Sequence, residues 1–266
     1  MKVERIAGAL GAEILGVDLA NDIPAREIRQ ALLEHQVVFF REQKLDPAQF
    51  MAFARSMGKP VEYPFVKGIA GFPEVIEVKK LEHERHAFGG IWHSDTAYLD
   101  EPPMGSMLLA REIPPYGGDT EFASQYAAYE ALSEGMKRIL DGLFAVNSSS
   151  KADVTRTRED RVKEYAQHYE AEHPVVRTHP ETGRKALYVN TGHTLRFRGM
   201  SEPESAPLLD FLYRHQVKLE FTCRWQWRVG DLAWWDNRCT QHNPVNDYHG
   251  HRRRLHRITL EGDVPA

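Results

Sequence analysis

The stretch FTCRWQWRVGDLAWW, residues 221–235, limits the fold more than any other. Phe221, Cys223, Trp225 and Trp227 alternate with Thr222, Arg224, Gln226 and Arg228. A period of two suits a half-buried strand and no helix. The chain is expected to turn at Gly230-Asp231 and return as an apolar run, making a hairpin. VVRTHPETGRKALYVN reads as a second hairpin, turned from Pro180 to Gly183. Aromatic side chains spaced this way pack a core, so they locate a sheet rather than a cofactor box.

Helices are fewer. In LDPAQFMAFARSMG, Asp46 caps, Pro47 suits the first turn, Phe50, Phe53, Ala54 and Met57 form one stripe, and Gly58 stops it. Ser133 precedes a second stripe, Met136, Ile139, Leu140 and Leu143. Ser201 and Glu204 form a capping box before Leu208, Phe211 and Leu212. With no repeat and no Gly/Ser/Pro linker, residues 1–266 read as a single domain. The expected fold is mostly β with flanking helices, a sandwich or jelly roll. Residues 147–173 are polar and long for a connection, either a solvated helix and loop or a lid over a site.

Of the 266 residues, 42% are hydrophobic and 27% charged, values of an ordinary globular chain. The net charge of −4 argues against nucleic acid as the main partner. Glu4 and Glu13 interrupt the start, so it does not read as a signal peptide, and no apolar run is long enough for a membrane span. Cys223 and Cys239 are too few for a disulfide framework, and reduced thiols in a cytoplasmic protein are expected.

The chemistry concentrates in three places. In GGIWHSDTAYLDEPP, His93 and Asp95 are two apart, so on an extended strand they would point the same way. Far downstream, His242 ends WWDNRCTQH. On a strand over residues 253–259, Arg253, Leu255, Arg257 and Thr259 would share one face, aiming two guanidinium groups into one space. Two histidines and a carboxylate can form the facial triad of a non-haem Fe(II) site with three positions open. A 2-oxo acid fills two of these and dioxygen the third, and an arginine supplies the two-pronged cation that the far carboxylate needs.

WHSD, GGDTEF, WDNRCTQH and HRRRLHRIT, in that order, resemble the taurine dioxygenase family of Fe(II)/2-oxoglutarate-dependent oxygenases, as do LGAEILGVDL, HQVVFFREQ and HPVVRTHPETGRKALYVN. The resemblance implies a double-stranded β-helix of the clavaminate synthase-like kind. It implies Fe(II), 2-oxoglutarate and O2, with His93, Asp95 and His242 as iron ligands. Thr120 and Arg253 would bind 2-oxoglutarate, and Arg257 matches the arginine that meets the substrate's anionic end. Trp92 is implied as a packing wall, and Trp234 and Trp235 are expected to wall off water. A homodimer or homotetramer is also implied.

Substrate choice departs from the family's taurine enzyme. Where that enzyme has a sulfonate-binding histidine, Glu62 and Tyr63 stand here, and His193 replaces a phenylalanine. The expected substrate is a small organic anion, a sulfonate, sulfate ester or carboxylate, held by Arg257 with help from Tyr63 or His193. A histidine there adds a donor, and a charge at lower pH. Competing readings are a jelly-roll sensor without turnover, a Zn or Mn hydrolase, a nucleic-acid patch at HRRRLHR, and half a zinc site at Cys239-x-x-His242.

Overall fold

The computed structural model describes residues 1–87, 89–151 and 168–266. The first third runs β1 (Lys2–Arg5), β2 (Ala12–Leu15), α1 (Ala25–His35), β3 (Val37–Phe40), α2 (Pro47–Met57), β4 (Pro60–Val61), β5 (Gly68–Ile69) and β6 (Phe72–Lys80). The middle holds β7 (Gly105–Glu112), β8 (Thr120–Ser124), α3 (Gln125–Glu130), α4 (Glu134–Leu140), β9 (Phe144–Ser148), β10 (Glu170–Pro174), β11 (Val176–Thr178), β12 (Lys185–Leu187) and β13 (Thr194–Phe197). The last part holds α5 (Glu202–His215), β14 (Thr222–Trp225), β15 (Leu232–Asp236), β16 (Thr240–Pro244) and β17 (Arg253–Leu260).

Two sheets form the double-stranded β-helix. The larger is ordered β1-β2-β3-β15-β7-β17-β6-β5, with β4 pairing β17, and the smaller is β14-β8-β16. Only β2 and β3 run parallel in the larger sheet. Strand alternation sorts its side chains. Val38, Phe40, Met107, Leu109, Trp234 and Ile258 face α1 and α2, where Leu32, Phe50, Phe53 and Met57 cover them. Phe39, Leu108, Trp235 and Leu255 face the smaller sheet and its Phe122, Cys223 and Trp225. Burial on both faces explains the apolar runs Val37–Phe40 in β3, 107–110 in β7 and 232–235 in β15. Phe39 stacks on Trp225 with centroids 4.1 Å apart, holding the two sheets face to face.

The first expected hairpin is not one. β14 pairs with β8 in the smaller sheet, whereas β15 lies between β3 and β7 in the larger. The turn at Gly230-Asp231 therefore carries the chain from one sheet to the other. Gly230 adopts φ +87°, and Arg41 pins the turn through Asp231. Alternation reports which face is buried and not which sheet a strand joins. The second hairpin forms as expected, β11 against β12, with Gly183 at φ +68°.

All three expected helices form. Asp46 accepts from the Gln49 amide at 2.8 Å in a full capping box on α2, and Ser133 and Ser201 cap α4 and α5. Two stripes are rotated: Ile139 is exposed on α4, and α5 buries Leu209 and Leu212 while Phe211 is exposed. α1 and α3 were not foreseen. Of residues 147–173, positions 152–167 lie outside the described residues, and the reading of that stretch as a solvated helix and loop or as a lid falls largely on them. The flanking ends pair as strands, Glu170 opposite Ser148.

Candidate active site

His93 and Asp95 do not lie on a strand as expected. His93 makes one antiparallel bridge to His242, its amide donating to the His242 carbonyl at 3.1 Å and the His242 amide returning the bond at 2.9 Å. Asp95 stands in the turn that follows, where Thr96 has φ +40°. The one-residue alternation survives, because Ser94 points away and its hydroxyl reaches the carbonyls of Asn237 and Thr240 at 2.7 and 2.9 Å. Asn237 lies in the turn between β15 and β16, and Thr240 opens β16 two residues before His242. Side chains nearly 150 positions apart in the chain thus meet through backbone pairing.

Asp95 Oδ1 lies 3.6 Å from His93 Nε2 and 3.8 Å from His242 Nε2. One ligand atom from each of the three residues lies within 4.8 Å of the others, and all three residues are buried. His93 Nδ1 donates to the Ile91 carbonyl at 2.6 Å, leaving the Nε2 lone pair free for a metal. The two oxygens of Asp95 divide their work. Oδ1 faces the imidazoles, while Oδ2 accepts from Ser106 Oγ at 2.8 Å and from Arg257 Nη2 at 2.9 Å. Burial alone would raise the Asp95 carboxyl, yet Arg257, His242 and His93 hold it well below the ordinary carboxylate range. Burial and the neighbouring His93 keep the His242 imidazole well below its usual value. A neutral histidine and an ionised carboxylate are the forms that ligate.

One cavity is lined by His93, His242, Trp235, Leu108, Thr120, Arg253 and Arg257. β17 supplies both arginines, as the alternation implied. They differ in company. Arg257 is paired with Asp95, whereas among the described residues no carboxylate forms an ion pair with Arg253, whose Nε has no partner. Arg253 Nη2 reaches Thr120 Oγ1 at 3.5 Å, and Trp227 Nε1 donates to the same hydroxyl at 3.0 Å. Gly118 makes room for this arginine. Its φ is +70°, and a Cβ there would meet Arg253 Cδ at 3.1 Å.

Tyr63 and His193 flank the cavity rather than line it. Arg257 Cζ sits 5.1 Å from the centre of the Tyr63 ring, and the His193 and His93 rings are 5.8 Å apart. Tyr98 links them to further rings, 4.9 Å from His193 and 5.7 Å from Phe65. Burial and His93 push His193 down to about 3, so the charge expected at lower pH is deferred to strongly acidic conditions. Trp235 walls the cavity, but Trp234 points to α2, 6.3 Å from Phe53, and has no part in that wall. Trp92 is half-buried.

Cys239 does not join His242. It groups instead with His179 and Asp236, and the donors of that trio are spent internally. Arg238 grips both Asp236 oxygens at 2.8 and 2.7 Å, and His179 Nε2 donates to Asp236 at 3.0 Å. Burial raises the Cys239 thiol well above its usual value, which opposes metal binding. Sequence reasoning missed Ser106 and Asn237, which brace Asp95. Ser106 sits on the inward face of β7, where period two could have flagged a polar residue among apolar ones.

An open His/His/carboxylate set beside a buried arginine that forms no ion pair with a carboxylate among the described residues fits Fe(II) and 2-oxoglutarate. Residues 2–259 match the model of the taurine catabolism dioxygenase TauD, TfdA family. The chain is 38% identical to the alpha-ketoglutarate-dependent sulfate ester dioxygenase of Pseudomonas putida, covering 100% of this chain and 91% of that protein. A taurine dioxygenase structure from Burkholderia xenovorans superimposes with a TM-score of 0.84 at 37% identity, covering 100% of this chain and 92% of that one. The structure of AAD-2 in complex with Mn(II) and N-oxalylglycine gives a TM-score of 0.83 at 30% identity, with 99% and 98% covered.

Proposed function

We propose, because this chain belongs to the taurine catabolism dioxygenase TauD, TfdA family, that it oxidises an alkyl sulfate ester or a closely related small organic anion. It is an Fe(II)- and 2-oxoglutarate-dependent dioxygenase. Bound iron, with 2-oxoglutarate and dioxygen, supplies the oxidising power: one oxygen atom enters succinate as CO2 leaves, and the other enters a substrate C–H bond.

In this reading His93 Nε2, His242 Nε2 and Asp95 Oδ1 hold the iron. The observation that carries it is Arg253, a buried cation that forms no ion pair with a carboxylate among the described residues and lines the same cavity as both histidines. Arg253 and Thr120 would take the far carboxylate of a dicarboxylic keto acid bound in that cavity. Arg257 takes the substrate's anionic group, with Tyr63 and His193 beside it, and Trp235 and Leu108 exclude water. The rings of Tyr63, Phe65 and Tyr98 offer an apolar body a place to lie. Hydroxylation at the carbon that bears the sulfate oxygen gives a product that separates into an aldehyde and sulfate, the hydroxyl proton leaving with the sulfate.

The test is an aerobic panel of alkyl sulfates, alkylsulfonates and aryloxyacetates with Fe(II) and 2-oxoglutarate, following sulfate, sulfite or phenol release. Sulfate release is expected. Arg257→Ala should raise the substrate KM strongly and leave that for 2-oxoglutarate nearly unchanged. A panel left wholly unconsumed, or a variant whose 2-oxoglutarate KM moves instead, contradicts the reading. A cytoplasmic address belongs to the same proposal, supported by two buried free thiols. So does a homodimer or homotetramer, which light scattering decides. Among the described residues no helix is long and apolar enough to cross a membrane.

A further inference from the structure

Arg257 is shared between two tasks. Its Nη2 contacts Asp95 Oδ2 at 2.9 Å and Ser106 Oγ at 3.1 Å, while its Nε is buried without a partner. The same side chain lines the cavity with His93 and His242, and its guanidinium lies over Tyr63. Guanidinium carries five N–H donors in one rigid plane, so one edge can keep Asp95 while another meets an anion. Arg253 has no comparable tie. An anion arriving at Arg257 therefore meets a cation already spent on the carboxylate that would ligate the metal.

We propose that Arg257 couples the substrate subsite to the metal centre: metal binding at Asp95 releases the guanidinium's charge for the substrate anion, and the anion in turn tightens the metal. This rests on the reading that the substrate is anionic and meets Arg257. The sign follows from charge. Without metal, Arg257 and Asp95 neutralise each other. A divalent ion at Oδ1 draws on the carboxylate and leaves Arg257 with surplus positive charge, which attracts an anion. By linkage the anion then raises metal affinity by the same factor, and couplings of roughly 5- to 150-fold are typical.

The experiment measures Mn(II) affinity calorimetrically, without oxygen turnover, in the absence and presence of saturating hexyl sulfate. The wild-type chain should bind Mn(II) about tenfold more tightly with the anion present. Arg257→Gln should bind Mn(II) equally with and without it. Arg257→Lys keeps a positive charge beside Asp95 but loses the second prong, so it should fold, bind Mn(II) within a few-fold of wild type, and show little coupling. An unchanged wild-type affinity overturns the proposal, as does coupling that survives in both variants, which would assign it to direct contact between anion and metal. Hexyl sulfate that is turned over without shifting Mn(II) affinity sinks this inference and leaves the proposed function standing. Hexyl sulfate that neither binds nor is consumed also overturns this inference, while the proposed function falls only if the whole panel is left unconsumed.

Discussion

Asp95 shows why single residues decide the site. Its Oδ2 is held by Ser106 and Arg257, so Oδ1 is presented to the imidazoles in one orientation. Replacing Ser106 with Ala should weaken metal binding by roughly 10- to 100-fold, the usual cost of losing a bond that orients a ligand, read by Mn(II) titration; unchanged affinity would show that Arg257 alone suffices. Arg253→Ala should raise the 2-oxoglutarate KM roughly 30-fold or more, because truncating one member of a buried charge pair costs about 2–5 kcal/mol. The substrate KM should move little. His93, Asp95, Thr120, His242, Arg253 and Arg257 were all legible from motif order, and all six gather around one cavity or its edge. Ser106 and Asn237 were not, because a hydrogen bond that braces a ligand has no fixed spacing from it. How far the His193 charge is pushed toward acid was illegible for a different reason: burial cannot be read from the residue's identity.

Among elements, the turns and caps were clearest and the partnerships least so. The α2 cap was readable from Asp46, its completion by Gln49 only from the structure, and Asp46→Ala should cost about 1 kcal/mol of stability in denaturant unfolding. No loss would place the cap's role elsewhere. The strand before Gly230 and the strand after it were both foreseen, yet each joins a different sheet. Local alternation fixes a face, while sheet membership depends on pairings with β8, β3 and β7 from distant parts of the chain. Gly118 belongs to this scale too, since the GGDT turn sets Thr120 at the head of β8 and clears Arg253. Gly118→Ala forces φ +70° on a side chain and presses Arg253, so it should both destabilise the protein by about 1–2 kcal/mol and raise the 2-oxoglutarate KM. A variant with wild-type KM would separate the turn from the cosubstrate.

Across the whole molecule, residues from both ends share one sheet: β1 to β3 lie alongside β15, β7 and β17. We propose that the chain unfolds as one domain, with a single cooperative transition, and two resolved transitions would contradict this. Its acid sensitivity has a definite sign. Burial, aided by Arg111, pushes His256 down to about 4, and Arg111 Nε donates to its Nδ1 at 3.1 Å. Unfolded, that histidine titrates near 6.5. Between these values the unfolded chain binds the extra proton, so stability rises with pH and is lost as pH falls from about 6.5 to 4. The metal-free Tm should drop over that window, and His256→Gln should flatten the slope; an identical slope in the variant would remove His256 as a cause. The central claim is that His93, Asp95 and His242 form a single iron site served by a keto acid on Arg253. It is tested most directly by release of labelled CO2 from 1-labelled 2-oxoglutarate with Fe(II), oxygen and an alkyl sulfate. Substrate-stimulated release that disappears in Asp95→Ala and in His242→Ala is the predicted result, and release that persists in either variant would contradict the account.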